Sequence, residues 1–271
     1  MLPTTFQTFS PLDAAVAKHV DYYYLERKPE NTVTTFECFP HYNNTLSLYA
    51  AHRMPGVGQI VHDPAAPPAQ IFTPVRDAVL RVRQIGAVHR VVIVFHALGI
   101  QHFWRNVDFA TYQVTYPFFT DRELSYILET DDTRLLSSYL DGFLKSRYVP
   151  RPPDLVTSII NYLFDHPVHF SVAEMARDLG VSRRHLLRVF RNTIGVSLKR
   201  FHKIIVLRSV MDRRLSGSDE NNLTQLAYAA NFSDQAHMIK LFRGLTQNAP
   251  RQFFARGEQP GNAGLFWHRL R

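Results

Sequence analysis

The sequence predicts an α+β protein: a β-rich N-terminal barrel or sandwich with helices, linked to an all-α C-terminal domain with two helix-turn-helix units. Three observations predict it. Short aromatic and β-branched runs, separated by Pro and Gly clusters, fill residues 1–120, and the apolar period turns helical from residue 121. Three prolines fall within residues 150–153, a stiff extended connector between the halves. The charge divides at the same place. Residues 1–150 hold 13 Lys and Arg against 14 Asp and Glu, and residues 151–271 hold 18 against 9, so the whole formal excess of +8 belongs to the C-terminal half.

The predicted domains are 1–148 and 154–257, followed by a tail over 258–271. A chain of 271 residues is long enough to bury two real cores. No run of about 18 apolar residues suggests a membrane span. The N-terminus lacks a basic stretch followed by an apolar one, so no secretory signal is expected. Cys38 is the only cysteine, which excludes intrachain disulfides and thiolate zinc clusters and suits a reducing cytoplasm.

In the N-terminal half, the runs at 20–25, 33–39, 45–51, 56–62 and 88–95 predict strands. His41, His52, His62, His89, His96 and His102 show neither His-x-His spacing nor a helical i, i+4 pair beside an acid. They read as dispersed histidines, and no metal or cofactor is predicted. Tyr22-Tyr23-Tyr24 and Phe103-Trp104 either line a pocket or pack a β core. From 121 to 146, Leu124, Ile127 and Leu128, then Leu136, Tyr139, Leu140, Phe143 and Leu144, predict two amphipathic helices. These either cover the β structure or pair two subunits.

In the C-terminal half, Asp154 caps a helix with Val156, Ile159, Ile160 and Leu163 inward, stopped at His166-Pro167. The next helix places Val172, Met175, Ala176 and Leu179 on one face, with Ser171 and Glu174 spaced as a capping box and Gly180 just past its end. Ser182 then caps a helix whose inner face is Leu186, Val189, Phe190 and Ile194. Its outer face carries Arg183, Arg184, Leu187, Arg188 and Arg191, as a helix in a DNA major groove needs. Two short helices around a Gly turn make a helix-turn-helix. A long helix over 198–215, about 25 Å at ~1.5 Å per residue, leads toward a second such unit. There Leu223, Leu226, Ala227 and Ala230 form one face, Asn231-Phe232 the turn, and Ser233 opens a helix with His237 or Met238, Leu241 and Phe242 inward. The tail is expected to be poorly ordered, with Leu265, Phe266 and Trp267 free to dock.

Residues 154–256 resemble the DNA-binding domain of AraC/XylS-type transcription regulators. The likeness rests on Ala173-x-x-Ala176-x-x-Leu179-Gly180-Val181-Ser182, Leu186-x-Arg188-x-Phe190, Gly195-Val196-Ser197 and Phe201. Leu226-Ala227, Phe232-Ser233-Asp234-Gln235, Phe242 and Pro250-x-x-Phe253 complete it. It implies two recognition helices held about 34 Å apart, one turn of DNA, by the long helix between them. Matching helix positions imply base contacts from Arg184, Leu187 and Arg188 of the first unit and from Gln235, Ala236, His237 and Lys240 of the second. Arg183, Arg191, Lys199 and Arg200 are implied phosphate contacts. Leu187 either meets a thymine methyl or packs on a neighbouring helix.

The sequence departs from the family at four places: Asn231 and Gln247 stand where glycine is usual, Met238 replaces an aromatic, and Ile205-Val206 replaces a basic residue of the connecting helix. The N-terminal half resembles the family's effector domains more loosely. The resemblance implies double-stranded DNA as partner, RNA polymerase as the machinery acted on, a small-molecule effector, a homodimer, no membrane, and action in the cytoplasm at the nucleoid, as an activator or a repressor. Two rival readings are a protein-interaction module that has lost its DNA target and a DNA-repair enzyme built on the same reader. The second needs a zinc-held cysteine nucleophile or a helix-hairpin-helix with a catalytic acid. Cys38, in its Phe-Glu-Cys-Phe setting, offers neither, and no Gly-x-Ser-x-Gly elbow or phosphate-binding Gly loop is present.

Overall fold

The computed structural model describes residues 4–104, 108, 111–113, 116–167, 170–216, 235–261 and 265–270. Its strands are β1 (Thr5–Phe9), β2 (Val20–Lys28), β3 (Val33–Cys38), β4 (Asn44–Tyr49), β5 (His52–Gly56), β6 (Gln59–His62), β7 (Ala69–Thr73), β8 (Leu80–Ile85), β9 (Val88–Phe95), β10 (Gly257–Glu258) and β11 (Trp267–Leu270). They form one sheet in the order β1-β2-β9-β4-β7 and a second in the order β10-β11-β3-β8-β6-β5. The barrel-or-sandwich alternative therefore resolves as two sheets and not a closed barrel. β6 and β8 run parallel; the other paired strands among the described residues are antiparallel.

The predicted run 56–62 is not one strand. It folds back at Gly58, whose φ of +71° suits glycine, and a Cβ there would lie 2.2 Å from the Arg81 carbonyl oxygen. β1, β7 and β8 lie wholly outside the predicted runs, and β5 meets them only at Gly56. β8 alternates cleanly, with Val82 and Gln84 buried and Arg81 and Arg83 exposed.

Helices α1 (Asp121–Leu128) and α2 (Thr133–Arg147) cover the first sheet. Leu124, Ile127, Leu136, Leu140 and Leu144 share a core with Leu46, Leu48, Val91 and Ile93. The Tyr23 hydroxyl donates to Asp141 Oδ1 at 2.7 Å, which satisfies both groups beneath that layer. The connector is tied to the N-terminal half: the Val149 N–H donates to the His102 carbonyl at 2.7 Å, and Arg151 reaches Gln101 Oε1 at 3.0 Å.

Among the described residues, six further helices follow: α3 (Leu155–Asp165), α4 (Val172–Asp178), α5 (Arg183–Ile194), α6 (Leu198–Leu215), α7 (Gln235–Thr246) and α8 (Pro250–Arg256). Short polar side chains start four of them, as the sequence predicts for three. Asp154, Ser171, Ser182 and Ser197 accept hydrogen bonds from the N–H groups of Thr157, Glu174, His185 and Arg200. Gly180 has φ +65° and turns the chain from α4 into α5. The residues of the second unit's first helix and turn, Leu223 to Asp234, lie outside the described residues.

The halves that the prolines separate in sequence are joined in packing. Phe39, Val75 and Leu98 of the N-terminal half enter the same core as Met175, Phe190, Phe201 and Phe253. The tail corrects an expectation of poor order. Trp267–Leu270 is a strand of the second sheet, paired with β3 through Trp267 opposite Cys38 and Leu270 opposite Thr35.

Candidate functional sites

One side of α5 is apolar and buried, through Leu186, Phe190 and Ile194. Burying that side presents the other to solvent, and Arg183, Arg184, Leu187, Arg188 and Arg191 are all exposed. Leu187 is 40% exposed, so it is not consumed by packing on a neighbouring helix. Arg188 Nη2 lies 3.3 Å from His185 Nδ1 one turn back. Four guanidinium groups and one apolar side chain on a single helical face can offer hydrogen-bond forks to guanine edges and phosphates and an apolar contact to a thymine methyl.

On α7, Met238, Leu241 and Phe242 are buried, which decides between His237 and Met238 for the inner face. Ala236, His237 and Lys240 are exposed and Gln235 is half-buried. Lys199 is exposed on α6, whereas Arg200 is held by Asp77 of the N-terminal half, Nε to Oδ2, at 2.8 Å. One of the family departures acquires a cause, and another a cost. Ile205 is buried and Val206 packs against the helical core, so those positions of α6 face inward here. Gln247 has φ +62°, the left-handed conformation that glycine adopts without strain.

Of the second site, the sequence offers only the tyrosine run as a pocket lining. Between the two sheets lies a cavity of about 110 Å³, lined by aromatic residues, small polar residues and the arginines Arg76, Arg90 and Arg208. No carboxylate is among its lining residues, of those the structure describes. Tyr22 and Tyr24 face it, while Tyr23 between them points into the core under α2, as strand alternation requires. The pocket and core readings of the tyrosine run are thus each half right, and Phe103 and Trp104 belong to the core. Arg90 donates from Nε to Glu26 Oε2 at 2.5 Å and from Nη1 to the Tyr49 hydroxyl at 3.0 Å, with the Tyr24, Phe36, Tyr49 and Trp267 rings around its guanidinium at 5.2 to 5.7 Å. Burial opposes the charge on Arg90, but Glu26, Tyr24 and Tyr49 outweigh it and hold the guanidinium well above its ordinary pKa. Burial lowers that of Arg76. Arg90 Nη2 and Arg76 Nε are buried donors with no acceptor among the described residues. A lone arginine in the apolar run 88–95 was the signal available in the sequence.

Among the described residues, no helix is long and apolar enough to cross a membrane, and no group of three His, Cys, Asp or Glu residues could hold a metal ion.

A helix-turn-helix half packed onto two β-sheets that enclose a cavity is the class of architecture these features define. Residues 175–256 match the family model described as a helix-turn-helix domain. The chain is 38% identical over 138 residues to the HTH-type transcriptional regulator GlxA of Rhizobium meliloti (strain 1021), a match covering 45% of this chain and 41% of that relative. It therefore spans less than half of that curated relative's length. In three dimensions it is similar to ToxT from Vibrio cholerae, with a TM-score of 0.51 and 11% identity over 86% of this chain and 97% of that one. The C-terminal domain of AraT, a response regulator from Geobacillus stearothermophilus, aligns at 20% identity with a TM-score of 0.35, covering 38% of this chain and 85% of that one. The C-terminal region is a helix-turn-helix domain of the AraC type, and the two-part fold is that of the ToxT structure.

Proposed function

We propose that the chain is a sequence-specific DNA-binding transcription regulator that inserts α5 and α7 into successive major grooves. The observation that carries this reading is the exposed arginine face of α5 opposite its buried apolar face. Arg184, Leu187 and Arg188 then meet base edges, as do Gln235, Ala236, His237 and Lys240 from α7. Arg183, Arg191, Lys199 and Arg200 neutralise phosphates. The 18 residues of α6 supply a spacer of about 27 Å at ~1.5 Å per residue. RNA polymerase and a second copy of the chain are the protein partners this role calls for, and the cytoplasmic nucleoid is its place of action. Selection of binding sites from random duplexes by the full chain tests it: recovery of two half-sites about one helical turn apart supports the reading, and recovery of no common sequence refutes it.

The cavity is the effector site in this reading, and its ligand is a small organic anion with an apolar body. The buried guanidinium donors left over, Arg90 Nη2 and Arg76 Nε, in an aromatic box favour a carboxylate, whose oxygens can accept charge-assisted hydrogen bonds. Phenylacetate is expected to raise the unfolding temperature of the full chain and its neutral amide to leave it unchanged. The enzyme reading fares poorly on chemical grounds. Burial raises the Cys38 thiol pKa, the opposite of what activates a nucleophile.

A further inference from the structure

Strand β11 is the last described element of the chain, yet it belongs to the N-terminal half's second sheet, beside β3. It connects two places. Trp267 is 8% exposed, stacks on Phe36 at 4.6 Å between ring centroids, and forms part of the cavity wall 5.5 Å from the Arg90 guanidinium. Its neighbours grip the helix-turn-helix half. The Phe266 ring packs on Phe253 of α8 at 4.9 Å, and His268 Nε2 lies 2.7 Å from the Phe253 carbonyl oxygen. Phe253 in turn meets Phe242, on the buried face of α7, edge to face at 5.4 Å. Within the strand, the period of two turns residue 267 and residue 268 to opposite sides, while Phe266, just before it, both lines the cavity and packs on Phe253. A short path of packed rings therefore runs from the cavity wall to the helix proposed to read the second half-site.

We propose that β11 is the closing wall of the effector cavity, with Trp267 setting the fit of the ligand, and that it reports occupancy to α7 through Phe253. This deepens the effector reading and rests on it for the ligand. The wall is made by the segment that follows the helix-turn-helix domain, so the N-terminal half cannot complete the site alone. A ligand that presses on Trp267 moves a strand whose other side holds α8.

The test uses the full chain carrying Trp104→Phe, which leaves Trp267 as its sole tryptophan. Phenylacetate is titrated while Trp267 emission is followed, and binding is measured independently by calorimetry, also for Trp267→Ala. The expected result is a saturable change in emission and an affinity at least tenfold weaker in Trp267→Ala. Calorimetric binding with silent emission and an unchanged affinity in Trp267→Ala would overturn the wall while leaving the effector cavity standing. A chain ending at Glu258 gives a readout without ligand. Faster hydrogen exchange in both β3 and α7 than in the full chain supports the link, and faster exchange confined to β3 overturns it even if phenylacetate never binds.

Discussion

Arg200, in the first turn of α6, donates from Nε to Asp77 Oδ2 at 2.8 Å and from Nη2 to the Asp77 carbonyl oxygen at 3.1 Å. Both side chains are more than a third exposed, so the pair adds only about 0–1 kcal/mol to stability. Its consequence lies in binding. The carboxylate occupies an arginine that a phosphate would otherwise engage. Replacing Asp77 with alanine should raise affinity for operator DNA by up to about tenfold and steepen the salt dependence by about one counterion. Anisotropy titrations at several salt concentrations measure both. Unchanged affinity and slope would remove Arg200 from the phosphate contacts.

Gln247 and Gly180 share positive φ, at 62° and 65°, but only one is a glycine. A non-glycine residue there costs about 1–2 kcal/mol, offset in part because glycine loses more freedom on folding. Gln247→Gly should therefore stabilise the protein by about 0.5–1 kcal/mol and Gly180→Ala should destabilise it by about 1–2 kcal/mol. Nothing lies within 4 Å of a Cβ built at Gly180, so backbone strain alone acts at that site. Denaturant unfolding of the two variants should give shifts of opposite sign.

His89 is kept neutral by burial and by the nearby Arg27 charge, which lower its pKa to about 4. The unfolded chain binds a proton near pH 6.5, where the native state does not. The stability it contributes is complete above about pH 6.5 and is lost as the pH falls toward about 4. Between pH 6.5 and 5 the loss from this group is on the order of 1–2 kcal/mol. His89→Gln should flatten the decline in unfolding free energy over that interval. A decline as steep as in wild type would assign the acid sensitivity elsewhere.

What was legible in the sequence was what short-range chemistry decides. Ser182 three residues before His185, and Asp154 three before Thr157, are caps that any helix start would use, and both form. Leu186, Phe190 and Ile194 recur at helical spacing and are buried for that reason. Features set by distant partners were hidden. β11 pairs with a strand more than two hundred positions earlier, and nothing within its four residues names β3. Asp77 meets Arg200 across 123 positions. The tyrosine run hinted at the cavity, but its arginines come from β9, a loop and α6, which only the folded sheets bring together. β8 is the exception. Its alternation of apolar residues and arginines is legible in the sequence by itself.

The arginine face of α5 is tested most directly by comparing Arg188→Ala with Arg191→Ala in footprinting titrations on the selected operator and on operators changed one base pair at a time. Arg188→Ala should lose about 1–3 kcal/mol and discriminate less at one position, whereas Arg191→Ala should weaken all sequences alike and flatten the salt dependence. Operator binding by Arg188→Ala equal to that of wild type would mean that α5 does not face the bases.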